Sequence, residues 1–365
     1  MHPSQIRNAG GGPSALDGCR PSAELVGGQD VMCPVLPVRS ERRAAMNPCR
    51  ITVVGECVAD ALAESTGTAN ELALRVMPGG GPANTAVALA RLGTPARFLA
   101  RLSDDVFGRL FQAHLQESGV DLSHAVRAME PSTLAVAELD AQGQAAFSFH
   151  AQNTADWQWT AAELAGVDLS ATACVHTGSL ALVREPGGAV VEEFLASASA
   201  EATVSIDPNV RPLLVSPEVY RSKLEHWCHL ADVLRLSEDD LSLLLPGTPP
   251  EEACDIWHAA GARLVVITRG AGGALASLDG ERVQLPAVTT RVVDTIGAGD
   301  SFTAGLLHHL GALGLLGGRL ADLRIGDVAE ACRFALQVAA LTCSTAGPNP
   351  PWRHQLAPLA TVECA

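Results

Sequence analysis

Two glycines and an aspartate fall within four residues in Gly297-Ala298-Gly299-Asp300, immediately before a run from Ser301 to Leu307 that reads as an apolar helix. Glycine is a poor helix former, so something other than helix stability selected this first turn. The N–H groups that open a helix have no intrahelical partner and carry the positive end of its dipole. Bare glycine backbone lets an anion approach them, which makes a cradle for a phosphate or an oxyanion. Asp300 would repel a resting phosphate. It fits a general base that takes a proton from a hydroxyl, which then attacks a phosphoryl group whose growing charge the amides stabilise. The plainer alternative is an aspartate that only caps the helix and pairs with its dipole.

The elements that must position this turn alternate along the chain. "RITVVGE" from Arg50 is a buried strand, "ANTAVALARLG" a helix closed by Gly93, and "ARFLARL" a second strand. Strand patterns recur at "CVHTGSL", "TVSIDPN", "DVLRLS", "RLVVITRG" and "GALASL". Strands alternating with helices of about ten to fifteen residues imply βαβ units and a mostly parallel sheet. "STLAVAEL" and "AAFSFHA" alternate in period two around "DAQGQ" and read as a hairpin over 132–151, with the extended Glu71–Gly81 as its expected partner. The predicted fold is therefore a three-layer αβα domain with a small β lid, from about 56–78 and 131–152, over the strand C-termini where ligands of such sheets bind. Residues 1–45 are rich in Gly, Pro, Ser and Arg without a sustained period and read as a disordered extension, or as an upstream start ahead of Met46. The domain is expected over 46–354, with a C-terminal tail at 355–365.

Composition excludes several classes. A formal charge of −15 with no Lys/Arg run argues against a nucleic-acid partner. No stretch approaches the roughly 20 apolar residues of a membrane span, and a cytoplasmic location is expected. Lys223 is the only lysine, and it sits in "YRSKLEHW" without a glycine loop. P-loop enzymes and protein kinases both need a lysine on the phosphates, so neither fits. The ten cysteines form no CxxC pair and read as reduced, buried thiols. "HWCH" (His226 to His229) lacks a second cluster to complete a zinc set. A dinucleotide-binding oxidoreductase would need GxGxxG directly after a strand; "PGGGPAN" and "GAGGAL" both miss that spacing.

"VDTIGAGDSFTAG" resembles the C-terminal signature of the ribokinase-like (PfkB) carbohydrate kinases, and "GGGPANTAVALARLG" (Gly79 to Gly93) resembles their earlier glycine signature. "GECVAD", "SDDVFGRL", "ESGVD", "DPNVRP", "TRGAGGAL" and "AGPNPP" follow in family order, so the resemblance covers about residues 50–352. It implies a ribokinase-like fold and ATP-dependent phosphorylation of a primary hydroxyl on a small sugar. Asp300 would be the general base, and the amides of Gly297, Ala298 and Gly299 the anion hole. Asp60, Gly80, Gly81 and Asn84 would contact sugar hydroxyls, offering an acceptor, bare backbone and a donor; a turn plus a helix cap is the bland alternative. Thr268, Gly270 and Gly273 would admit the nucleotide, and Asn349 would border adenine. Asp294 matches the family's monovalent-cation ligand (K⁺), although a structural hydrogen bond would also explain it.

The family's Asn-x-x-Glu motif near metal and phosphates is replaced here by Ser237-Glu238-Asp239-Asp240. Ser237 and Asp240 could still order Mg²⁺ through water, since Mg²⁺ keeps several waters. This variation suits the fructokinase branch. The lid ends in Phe149-His150-Ala151, which offers no arginine for the carboxylate of 2-keto-3-deoxygluconate; His150 suits a sugar hydroxyl, or faces solvent. Arg211 in "DPNVRP" discriminates poorly. D-fructose is the expected substrate, with 2-keto-3-deoxygluconate, ribose and nucleosides as alternatives within the family. A non-catalytic sugar- or nucleotide-sensing relative is the alternative outside it. A homodimer through the lid is the expected assembly.

Overall fold

A computed structural model describes residues 49–356 apart from 69 and 140–144. The expected extension at 1–45, the hairpin turn and most of the tail lie outside the described residues.

An 8-stranded sheet organises the domain, in the spatial order Glu281–Leu285, Ala274–Leu278, Leu264–Thr268, Val233–Ser237, Thr203–Asp207, Thr172–Gly178, Arg50–Val54 and Ala96–Leu99. The two strands after Thr268 are antiparallel and the others parallel. Val, Ile and Leu dominate these strands because helices cover both faces. Alternate residues separate into two cores. Val54, Val175, Val204, Ile206, Leu234 and Ile267 pack with Tyr220, Trp227 and Trp257 from helices on one face. Ile51, Val53 and Phe98 pack on the other face against Ala86 and Leu89 of the helix Gly81–Leu92. Val233, Leu264 and Val266 continue that second face against Phe302 and Leu306 of Ala298–Ala312 and Ala335 of Ile325–Cys343. The three layers read from the sequence are present.

Chain order reverses about the first strand, which lies between Ala96–Leu99 and Thr172–Gly178. Ligands of open α/β sheets bind beyond the strand C-termini at such a reversal. Gly55, Ser179, Asn209, Ser237 and Thr268 all stand at those ends.

The lid is a separate 4-stranded sheet in the order Leu72–Gly79, Val58–Ser65, Leu134–Leu139, Ala145–His150. This corrects the expected pairing. The hairpin joins Val58–Ser65 in parallel, with Ala59 opposite Leu134, and Leu72–Gly79 lies on that strand's far side. Cys228 and Trp227 of "HWCH" turn into the core while His226 and His229 are exposed. Cys57, Cys174, Cys254 and Cys332 are likewise buried and free.

Candidate active site

The glycine turn is built by a left-handed residue. Gly297 caps the helix Ala298–Ala312 at φ 75°, and a Cβ there would stand 2.9 Å from Cβ of Pro348 in the loop after Ile325–Cys343. Only glycine combines that backbone with that contact. The Ala298 N–H donates to the Thr295 carbonyl at 3.2 Å, whereas no acceptor among the described residues is assigned to the Gly297 and Gly299 amides. Two of the three expected anion-hole donors are therefore uncommitted.

Asp300 stands half-buried in the first turn, and Asn84 Nδ2 donates to its Oδ2 at 2.8 Å. This one bond ties together the two signatures, 216 residues apart. Burial pushes the Asp300 carboxyl up to about 6, helped by nearby Asp207 and opposed by the Asn84 bond and the charges of Arg211 and Arg235. A base of that pKa is ionised at neutral pH yet has more proton affinity than an exposed aspartate.

Gly80 and Gly81 follow a lid strand and open the helix Gly81–Leu92. Gly80, at φ 99°, passes so close to the Glu56 carbonyl that a Cβ would lie 2.7 Å from it. At Gly81 a Cβ would meet Asn209 Nδ2 at 2.7 Å and Asp300 Oδ1 at 3.3 Å. Asp60 lies against Gly79, and burial pushes it up to about 6. Arg211 is anchored by its own segment, its Nη1 donating to the Asn209 and Val210 carbonyls at 3.3 Å. Its charge favours the ionised forms of Asp60, Glu56 and Asp300, so one cation serves three carboxyls. Asp60, Gly80, Gly81, Asn84, Arg211 and Asp300 thus converge.

His150 does not join them. Asp60 registers with Ala135 and Phe149, whereas His150 registers with Leu134 and Ala59. Side chains alternate across a sheet, so His150 is exposed on the opposite face from Asp60, and Phe149 shares Asp60's face. Ala151 is buried, and its carbonyl accepts from Arg184 Nη2 at 2.7 Å. An arginine does stand at the lid's end, committed to that carbonyl and lying over Trp157 at 5.7 Å.

The strand ends on the other side hold the nucleotide candidates. Gly270, at φ 51°, has open space where its Cβ would be, while Gly273, at φ 82°, passes 1.9 Å (as an added Cβ) from the Leu285 carbonyl. Ser237 caps the helix Glu238–Leu244. Asp240 corrects an expectation. Its Oδ2 accepts from the Ser237 hydroxyl at 2.6 Å and backbone at 3.1 Å, and its Oδ1 accepts from the Val210 amide at 2.8 Å. It is buried with both oxygens engaged, so it is a structural clasp and not an outer ligand for Mg²⁺. Asn349 is also engaged, its Oδ1 accepting from Arg91 at 2.6 Å. Asp294 accepts from the Ile296 amide at 3.0 Å and the Gly347 amide at 2.8 Å, joining the two loops beside the glycine turn. Both its oxygens already have structural partners.

Sequence reading missed four groups. Asn209, at φ 43°, reaches Gly81. Glu56 is buried, accepts from the Ala181 amide at 3.2 Å, and is pushed up to about 7 by burial. Asp156 accepts from the Cys57 amide at 2.9 Å and the Thr133 hydroxyl at 2.6 Å, with burial raising it to about 6. Arg235 rises from the sheet beneath the glycine turn, donating to Asp207 and Thr268 at 2.6 Å each. A charged residue inside the apolar "VLRLS" was its one visible signal, because a buried charge needs a partner.

Residues 49–355 match the pfkB family carbohydrate kinase model. A fructokinase of Rhizobium leguminosarum bv. trifolii is 34% identical over 261 residues, which is 71% of this chain and 79% of that protein. A double mutant of the Vibrio cholerae O395 fructokinase, in a fructose-, ADP- and potassium-bound form, superposes with a TM-score of 0.72 at 26% identity, covering 84% of this chain and 95% of the other. The Xylella fastidiosa fructokinase with bound ATP gives 0.74 at 27% identity, covering 82% and 93%.

Proposed function

Because this chain belongs to the pfkB family of carbohydrate kinases, we propose that it transfers the γ-phosphoryl group of ATP to a primary hydroxyl of a small neutral sugar, D-fructose foremost. The observation that carries this reading is the convergence at Gly81, where the Asp300 carboxylate and the Asn209 amide both border the bare glycine backbone. A hydroxyl placed there would lie beside the base and in front of the open amides of Gly297 and Gly299. Asp300 accepts the hydroxyl proton as the oxygen attacks, and the amides and helix dipole stabilise the charge on the transferring group. Asp60, Asn84 and Asn209 orient the other hydroxyls; the Arg211 charge favours the ionised forms of the carboxyls. Thr268, Gly270 and Gly273 admit the triphosphate, with Ser237 at the neighbouring strand end. The fructokinases bound to fructose with ADP, and to ATP, support this assignment.

Mg²⁺ is held mainly by phosphate oxygens and water and needs only one or two carboxylates. Asp240 is unavailable, but the Asp207 Oδ1 is buried without a partner among the described residues, so the site fits a metal whose waters Asp207 would order. When bound, Mg²⁺ would supply charge neutralisation for the phosphoryl group being transferred. K⁺ would act near Asp294 by steadying the loops it joins.

The kinase domain spans 46–354 on this reading, and the enzyme works in the cytoplasm. A homodimer through the lid is supported by Phe147 and Phe149, stacked at 5.9 Å on Asp60's face with Phe147 exposed. The test is ADP release over a panel of sugars and nucleosides, with and without Mg²⁺. Fructose-dependent release is expected; ATP binding without turnover on any sugar would replace this reading with a non-catalytic sensor.

A further inference from the structure

Arg235 is a buried cation with no role in the chemistry above. Its side chain is 6% exposed. Nη1 donates to Asp207 Oδ2 and Nη2 to Thr268 Oγ1, each at 2.6 Å, and its Cζ lies 5.7 Å from the Phe302 ring. A Cβ on Gly299 would stand 2.8 Å from Nη1 and 3.0 Å from Nη2. The guanidinium therefore lies directly against the backbone of the first helical turn. Glycine at 299 is needed for that contact, beyond any need to admit an anion.

Three consequences follow. Thr268, on the nucleotide side, and Gly299, in the anion turn, both meet one rigid planar group. A buried charge is felt through low-dielectric surroundings, so this cation offsets the Asp207 charge that would otherwise act on Asp300 unopposed from this side. Asp207 meets it through a single hydrogen bond, and both Asp207 Oδ1 and Arg235 Nε are without a partner among the described residues. From this geometry we infer that Arg235 is a positioning residue for phosphoryl transfer, locking the nucleotide loop to the anion turn and balancing the Asp207 charge beneath it. It touches neither substrate and acts through Thr268, Gly299 and the field at Asp300. The inference rests on the kinase reading, but the two fail differently: a wild-type chain inactive on every sugar removes the reading, whereas an active wild type with an indifferent Arg235 removes the inference alone.

The test compares Arg235→Gln, which keeps donors but loses the charge, with Arg235→Lys, which keeps the charge. Turnover of Arg235→Gln should fall at least about tenfold, with the KM for sugar within about threefold. The acid limb of its kcat/KM profile should move to higher pH, because Arg235 favours the ionised form of Asp300. Arg235→Lys should restore the pH limb and most of the turnover. Should Arg235→Gln not fold, the pair Asp207→Asn with Arg235→Gln removes both buried charges and should fold while remaining at least about tenfold slow at saturating Mg²⁺, where loss of the Asp207 metal contact is compensated. A folded neutral variant, single or double, with wild-type turnover overturns the inference. So does a lysine variant as impaired as the glutamine one with an equally displaced pH limb.

Discussion

Asp300→Asn should make the protein inactive and more stable at once. The amide keeps the size of the side chain, its helix position and an oxygen to accept from Asn84 Nδ2, now 2.8 Å away. It cannot take a proton, so kcat should fall by about 10²–10⁴, the usual worth of a general base. The stability change follows from the carboxyl, which burial moves from 3.8 to about 6. The fold binds this proton more tightly than the unfolded chain does. The group's stabilising contribution is therefore fully present below about pH 4 and is lost as pH rises through about 6. Above that, the ionised carboxylate costs roughly 2 kcal/mol at about 1.4 per unit, discounted for its partial exposure. The neutral amide avoids this cost, so melting at pH 7.5 should rise by about 4 °C, with no gain near pH 4. Calorimetry at both pH values and an ADP-release assay read the two effects. Turnover above a tenth of wild type refutes the base, and an equal or lower melting temperature at pH 7.5 refutes the burial argument.

Wild-type kcat/KM should itself decline below about pH 6, tracking protonation of Asp300 in a pH–rate profile. His150→Ala should leave the KM for sugar within about twofold, because that side chain lies across the lid from Asp60, whereas Asp60→Asn should raise it about tenfold or more by replacing one of two charged acceptor oxygens with a donor. Asp240→Ala should destabilise the fold by about 2–3 kcal/mol in denaturant titration while leaving the Mg²⁺ half-saturation unchanged, since its oxygens serve Ser237 and Val210. D-fructose should show a higher kcat/KM than 2-keto-3-deoxygluconate, ribose or adenosine in parallel assays; a preference for the keto-acid would contradict the electrostatics of the site.

Sheet and glycine turns were legible because their signals are local. A strand buried on both faces must be a short apolar run, and a turn with φ above zero must be glycine in the positions Gly80, Gly273 and Gly297 occupy. Val58–Ser65 was not, because its alanines and glutamate are weak strand formers that owe their pairing to neighbours on both sides. His150 shows a related limit: a one-residue change of register moves a side chain across the sheet. The role of Asp240 turned on its return bonds to Ser237, which close a capping box at the start of Glu238–Leu244. Arg235 finds its partners 28 and 33 residues away, and Asp156 reaches Cys57 across 99, so neither arrangement leaves a spacing that can be read along the chain.

The buried charges themselves argue for a neutral acceptor. Around the glycine signature stand Glu56, Asp60, Asp156 and Asp300, and burial is the leading cause that raises each of them. Arg211 offsets three of the four and has no second cation beside it among the groups acting on them, save Arg235 at Asp300. A substrate carboxylate entering here would add a like charge to groups already reluctant to ionise, and would push Asp300 further from its ionised, proton-accepting form. Hydroxyls add no charge and can donate to these same oxygens, which favours the ionised base. On the far side of Asp300 stand the open amides of Gly297 and Gly299, the helix N-terminus and the Arg235–Asp207 pair, whose two charges act on Asp300 in opposite directions. On the proposed kinase reading the sugar's hydroxyl proton would pass to Asp300, while the amides and the helix dipole would stabilise the charge developing on the phosphoryl oxygens.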